Sequence, residues 1–172
     1  MGVRVLVTAA SRHHATYEIA EAIAAGLARR GVDAEERPLE QVISLDGFDA
    51  VVIGSAVHMG RWLTTAREFV SENASELSSM PVWLFSSGPL GHPDRMAAAD
   101  EPADTGPPTE LTGAHGHRVF GGRLDLASLG LGERMAARVV HTLEGDCRDW
   151  TAIDAYAGEI AAALAHAGST RF

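Results

Sequence analysis

The stretch Arg4-Val5-Leu6-Val7-Thr8-Ala9-Ala10-Ser11-Arg12-His13-His14-Ala15-Thr16 decides the fold. Val3 to Val7 is apolar apart from Arg4, the pattern of a strand buried on both faces. Small residues follow, and then Ile19, Ile23 and Leu27 recur at the spacing of one helical face. Thr16 is the expected N-cap, Glu18 falls in the first turn, and Arg29-Arg30-Gly31 ends the helix. A helix N-terminus presents unpaired N–H groups and partial positive charge, so a strand–loop–helix unit of this kind is suited to hold a phosphate. Ser11 and Thr16 add hydroxyls. The tightest point of the loop is occupied by His13, His14 and Ala15, where glycine would give the backbone most freedom. Histidine tolerates the left-handed region better than most residues, so the turn can form, with added bulk.

The same alternation continues outward. Asp33 to Arg37 reads as a short strand closed by Pro38, and Ala50 to Ser55 as a buried strand after the turn Asp46-Gly47-Phe48-Asp49. A helix is expected from about Trp62 to Glu76, and a strand from Val82 to Ser87 after Pro81. Residues 92–116 read as a long loop with a short helical piece near Met96 to Asp100. A strand is expected over Arg118 to Leu124 and a helix over Leu131 to Leu143. Gly145 to Asp149 reads as a polar turn, and a last helix runs from about Trp150 to His166, capped by Asp149 or Thr151. Strands alternating with helices over 172 residues indicate one α/β domain, 1–172, with a parallel sheet covered on both faces. In such sheets ligands bind beyond the carboxyl ends of the strands. Three segments qualify: Ser11 to Thr16 for a phosphate, Ser55-Ala56-Val57-His58-Met59-Gly60-Arg61-Trp62, and Ser86-Ser87-Gly88-Pro89-Leu90-Gly91. His58, Met59 and Trp62 would flank a flat ring, and Gly88 and Gly91 would let backbone N–H groups approach its oxygens.

Composition narrows the function. A net charge of −9 opposes binding to nucleic acid backbones and favours a basic partner. No apolar run is long enough to span a bilayer, and no leader precedes the first strand, so a cytoplasmic location is expected. Cys147 is the only cysteine, which excludes an internal disulfide and a cysteine-based metal site. His13-His14 and His115-Gly116-His117 lack the spacing of a metal signature and read as loop histidines, while His141 and His166 fall late in helices. Gly130-Leu131-Gly132 lacks the third glycine of a dinucleotide fingerprint, and Gly54 near Ser55 is not followed by the second glycine of a nucleophile elbow. Trp62, Trp83 and Trp150 read as core residues, Trp62 least clearly.

The Ser11-to-Thr16 loop with Glu18-Ile19-Ala20, Val52-Ile53-Gly54-Ser55-Ala56-Val57 and Phe69-Val70 together resemble the flavodoxin-like domain family that includes menaquinone-dependent protoporphyrinogen oxidase. Ser87-Gly88-Pro89-Leu90-Gly91, Val119-Phe120-Gly121-Gly122-Arg123-Leu124 and Glu144-Gly145-Asp146-Cys147-Arg148-Asp149-Trp150 extend the resemblance over nearly the whole chain. It implies a flavodoxin-like three-layer sandwich with a five-stranded parallel sheet in order 2-1-3-4-5. It also implies an FMN site, with phosphate on Ser11, Arg12, His13, His14, Ala15 and Thr16. The ring would lie between Ala56, Val57, His58, Met59, Gly60 and Trp62 on one side and Ser87, Gly88, Pro89, Leu90 and Gly91 on the other. The flavin would perform the redox step with no catalytic side chain, and an acidic surface would repel a second negative charge on it. The implied function is an FMN-dependent oxidoreductase, protoporphyrinogen-oxidase-like, or an electron carrier. Its partners would be a redox protein, a quinone or a small-molecule substrate, with room for a homodimer. His14 and Ala15 depart from the family's glycine and small hydroxyl residue. That departure sets the alternative: weak or absent FMN binding, and a flavin-free binding or regulatory module on the same fold.

Overall fold

Alternation along the strands sets the layers. In β1 (Arg4–Ala10), Val5, Val7 and Ala9 face one side of the sheet and Leu6 and Ala10 the other. β3 (Ala50–His58) repeats the pattern with Ala50 and Val52 against Val51 and Ile53, and β5 (Val82–Ser87) with Trp83 and Phe85 against Val82 and Leu84. Successive side chains on a strand point to opposite faces, so continuous apolar runs demand cover on both sides. The computed structural model describes residues 2–88, 106–124, 145–146 and 148–169.

β2 (Asp33–Pro38) and β6 (Gly116–Phe120) complete a parallel sheet in the order β2-β1-β3-β5-β6. A two-residue strand, β4 (Arg61–Trp62), folds back antiparallel onto the end of β3. With that short return set aside, the five long strands run 2-1-3-4-5, as expected. One face is covered by α1 (Ala15–Ala28) and α5 (Trp150–Ser169). The other is covered by α2 (Thr64–Glu72), α3 (Ala74–Leu77) and the Leu39–Phe48 segment, with α4 (Gly106–Thr112) packed on α2 and α3. β7 (Arg123–Leu124) and β8 (Gly145–Asp146) form a separate antiparallel ribbon.

α1 and α5 approach closely because Gly26 has no side chain: a Cβ there would lie 2.7 Å from the Ala157 Cβ. Arg30 grips both carboxylate oxygens of Asp154 at 2.9 Å, and Arg29 donates to one at 2.7 Å. The two guanidiniums, Arg30 foremost, hold the Asp154 carboxyl well below the usual carboxylate range. Below α5, the Tyr156 hydroxyl donates to the Leu84 carbonyl at 2.9 Å, and burial pushes its pKa up.

Several expectations are corrected. The helix expected at Trp62 starts at Thr64, because Trp62 pairs with Val57 in the hairpin, and Asn73 divides the remainder into α2 and α3. The loop expected over 92–116 contains α4 and the first residue of β6. The strand expected over Arg118 to Leu124 is two strands, with Gly121-Gly122 between them. The polar turn at Gly145 holds β8. Trp150 is 45% exposed rather than core. Asp149 caps α5 by accepting the Ala152 N–H at 3.0 Å. The helical piece near Met96 and the helix over Leu131 to Leu143, with His141, lie outside the described residues. Among the described residues no helix is long and apolar enough to cross a membrane.

Candidate functional site

Parallel pairing brings the strand ends to one rim. Ala10 lies beside Ser55, Ala56 beside Ser87, and Ser87 beside Phe120. The loops leaving β1, β3 and β5 are therefore neighbours at the carboxyl edge, where open α/β sheets bind ligands.

The first loop turns on His14. Its φ of 63° and ψ of −18° place it in the left-handed region, and it is the N-cap of α1. Thr16, the expected cap, is instead buried at 1% exposure in the first turn. The Ala15 N–H donates to the His13 carbonyl at 2.8 Å, and the Glu18 N–H to the His14 carbonyl at 3.1 Å. The Thr16 N–H makes only a long bond, 3.4 Å, to the Ser11 Oγ. That long bond is one a stronger acceptor would replace, since charged acceptors form shorter and stronger bonds. Arg12, His13 and His14 are exposed. The His14 ring stands edge-on to Tyr17, with centroids 5.6 Å apart. The Tyr17 hydroxyl donates to Glu40 Oε1 at 2.7 Å, and burial, followed by Glu40, pushes the phenol up to about 12.

The second loop is a two-residue hairpin. His58 pairs with Arg61, and the residues between them, Met59 and Gly60, have φ of 54° and 75°. Two positive φ values in sequence are the signature of the I′ turn, whose twist matches that of the strands. The turn lifts Met59 into solvent at 84% exposure. Beneath it Trp62 turns inward at 1% exposure and donates its indole N–H to Ser86 Oγ at 2.8 Å. The Trp62 ring therefore belongs to the core under the loop, not to a surface beside a bound ring. Ser86 Oγ also lies 2.8 Å from His117 Nε2, so one buried hydroxyl joins β4, β5 and β6. Ser55 Oγ accepts the Leu63 N–H at 3.0 Å and donates to the Ala56 carbonyl at 2.8 Å, which fixes the chain where it leaves the hairpin.

The third loop begins at Ser87, which is 4% exposed, and Gly88, whose φ is 83°. The Gly88 N–H donates to the Phe120 carbonyl at 3.0 Å. A Cβ on Gly122 would lie 3.2 Å from the Gly88 Cα, so the two backbones pass in near contact. Pro89, Leu90 and Gly91 lie outside the described residues. Ser11 to Thr16, Ala56 to Gly60, and Ser87 with Gly88 are thus gathered at one edge. Ser86, His117 and Gly122 also shape it. The sequence already places Ser86 at the end of its strand, whereas His117 and Gly122 are not singled out by it, since only strand pairing brings them here.

The described segments of these loops are basic, although Glu18 and Glu40 stand just behind the first of them. Residues 9–17, 56–67, 86–88 and 116–124 carry no carboxylate, and Arg12, Arg61, Arg123, His13, His14 and His58 are all exposed. Among the described residues no three His, Cys, Asp or Glu side chains converge as a metal site would need.

A family model described as Flavodoxin domain matches residues 6–150. Protoporphyrinogen IX dehydrogenase (quinone) from Escherichia coli strain K12 is 29% identical over 86 residues, covering 49% of this chain and 48% of that protein. The chain thus spans about half the length of the curated relatives it matches. Among solved structures, a flavodoxin from the domain Archaea superposes with a TM-score of 0.64 at 17% identity, covering 95% of this chain and 100% of that one. Rubredoxin oxygen:oxidoreductase from Desulfovibrio gigas gives 0.62 at 14% identity, covering 95% of this chain and 36% of that one. Strand order, the rim loops and the family match agree: this chain belongs to the flavodoxin domain family.

Proposed function

We propose that the chain binds FMN at the carboxyl rim and works as a flavin-dependent redox protein. The observation that carries this reading is the adjacency of β1, β3 and β5, which collects the three loops at one edge. The residues present fit the group. Ser11, Arg12, His13, His14, Ala15 and Thr16 would hold the phosphate. Ala56, Val57, His58, Met59 and Gly60 with Ser87 and Gly88 would enclose the ring, and Pro89, Leu90 and Gly91 continue that loop in sequence. In support, His14 takes a left-handed backbone of the kind found in anion-binding turns, and the long Thr16 bond leaves a donor for an oxyanion. FMN supplies electron and hydride transfer when bound, and the chain's own part is to bind, orient and tune it.

The finer reading is a protoporphyrinogen-oxidase-like oxidoreductase passing electrons to a quinone, supported by the partial similarity to the E. coli dehydrogenase. An electron carrier serving a redox partner uses the same site. The second reading, a flavin-free binding or regulatory module, is favoured by the His14 imidazole at the loop and by the internal bond of the Ala15 N–H.

Titration of the purified protein with FMN, followed by quenching of flavin fluorescence, separates the two. Saturable quenching is expected, and no binding at high-micromolar FMN would overturn the flavin reading. His14→Gly is expected to tighten FMN several-fold by removing bulk. Relief of the left-handed strain, about 1 kcal/mol, offsets the entropy cost of glycine, about 0.5–1 kcal/mol, so thermal stability should hardly move. Unchanged or weaker affinity would show that the imidazole is not the obstacle.

A further inference from the structure

Arg148 precedes α5 with its side chain 4% exposed, and every face of its guanidinium is engaged. Nε and Nη2 donate to the two carboxylate oxygens of Asp146 at 2.8 and 2.7 Å. Nη1 donates to Glu18 Oε2. The plane lies over Trp150, with Cζ 4.6 Å from the ring centroid. The Glu18 contact is the unexpected one, because it ties the far end of the chain to the first turn of α1. Glu18 gives its own N–H to the His14 carbonyl, so its carboxylate sits one turn from the loop assigned to the phosphate.

An acidic residue in a first turn normally complements the helix dipole. Beside a bound phosphate the same carboxylate would repel its ligand. We propose that Arg148 is a positioning residue for the phosphate end of the site: its guanidinium, shared between Asp146 and Glu18, draws the Glu18 carboxylate onto itself and offsets part of its charge, and this lets the loop accept a doubly charged phosphate. The inference rests on the FMN reading and deepens it by assigning Arg148 a part at the phosphate end of the site alone. Arg148 itself is too enclosed to touch the ligand. It acts through Glu18, and Asp146 and Trp150 hold it in place.

Riboflavin, which has the ring but no phosphate, is the control. Both ligands are titrated against the native protein, Arg148→Gln, Glu18→Gln and the double variant, at low and high salt. Arg148→Gln is expected to weaken FMN about tenfold, the scale of one uncompensated charge near a dianion at intermediate dielectric, and to leave riboflavin unchanged. Glu18→Gln should tighten FMN alone, and the double variant should return near the native ratio. All these differences should shrink at high salt, where exposed charges are screened. A purely structural role for Arg148 would lower both affinities together, and that result overturns the proposal. So does a Glu18→Gln variant whose FMN affinity at low salt is unmoved, a test that holds even where Arg148→Gln fails to fold. Arg148→Lys, which keeps the charge, should keep the ratio. A native protein that binds no FMN removes the flavin reading and this inference with it; a native protein that binds FMN with the ratio unmoved in the variants removes this inference alone.

Discussion

At the scale of single residues, two small differences from an ordinary strand and loop govern the rim. Gly54 lies under the Phe85 ring: a Cβ built on it would fall 2.0 Å from Cζ and 2.3 Å from Cε1. Phe85 is fully buried against Phe120 and the α1 face, so the ring has little room to retreat. Gly54→Ala should therefore destabilise the protein by about 1–3 kcal/mol, the usual cost of overpacking a core, read as a lower urea midpoint. An unchanged midpoint would mean that the ring relocates freely. The sequence displays Gly54 as a small residue near a strand end, but nothing in it names Phe85 as the neighbour. That pairing arises from register between β3 and β5. His14 is the converse case. Its residue type announced a loop with excess bulk, and the backbone supplies the reason it is tolerated, an αL N-cap.

At the scale of elements, the β3–β4 hairpin is the part that sequence periodicity misread. Trp62 has the spacing of a helical residue with Ala66, Phe69 and Val70. Its indole nevertheless finds a buried acceptor in Ser86, and the Met59-Gly60 turn fixes the strand return. A buried indole N–H must have a partner, and the helix start offered none. Ser86→Ala should cost about 1–3 kcal/mol, because it strands the Trp62 donor, and it should loosen the hairpin that carries Met59. The urea midpoint and the FMN affinity are both expected to fall. Loss of stability with FMN affinity intact would separate the hairpin from the ring site. The Gly121-Gly122 break between β6 and β7 was hidden for a similar reason: the glycines looked like part of one strand until Gly88 was placed 3.2 Å from the position of a Gly122 Cβ.

At the scale of the whole molecule, pH reads out two polar contacts, the local Arg148–Asp146 pair and the Tyr17–Glu40 bond between separate segments. Hydrogen bonds from Arg148 hold Asp146 down from 3.8 to about 2. A carboxyl with a depressed folded pKa stabilises the protein above its unfolded value and loses that contribution as pH falls through the folded one. Stability from this contact should therefore decline between pH 3.8 and about 2. Tyr17 is displaced from 10.0 up to about 12, chiefly by burial. Its unfolded form ionises first, so stability is full below pH 10.0 and is lost as pH rises towards about 12. Thermal melts across pH should show both limbs, the acid one diminished in Asp146→Asn and the alkaline one in Tyr17→Phe. Limbs unchanged in those variants would assign the transitions to other groups.

The five long strands, α1, α2 and α5, the burial of both sheet faces and the Ser11–Thr16 loop followed from the sequence, because apolar period and small-residue turns act locally. Which residues meet across that sheet did not. The Gly54–Phe85 contact, the Trp62–Ser86–His117 junction and the Arg148–Glu18 pair join residues far apart in the chain, and only parallel register and helix packing bring them together. The gathering of exposed Arg12, Arg61 and Arg123 at the strand-end loops of a chain of net charge −9 is likewise a property of topology, since composition counts charges and the fold alone distributes them.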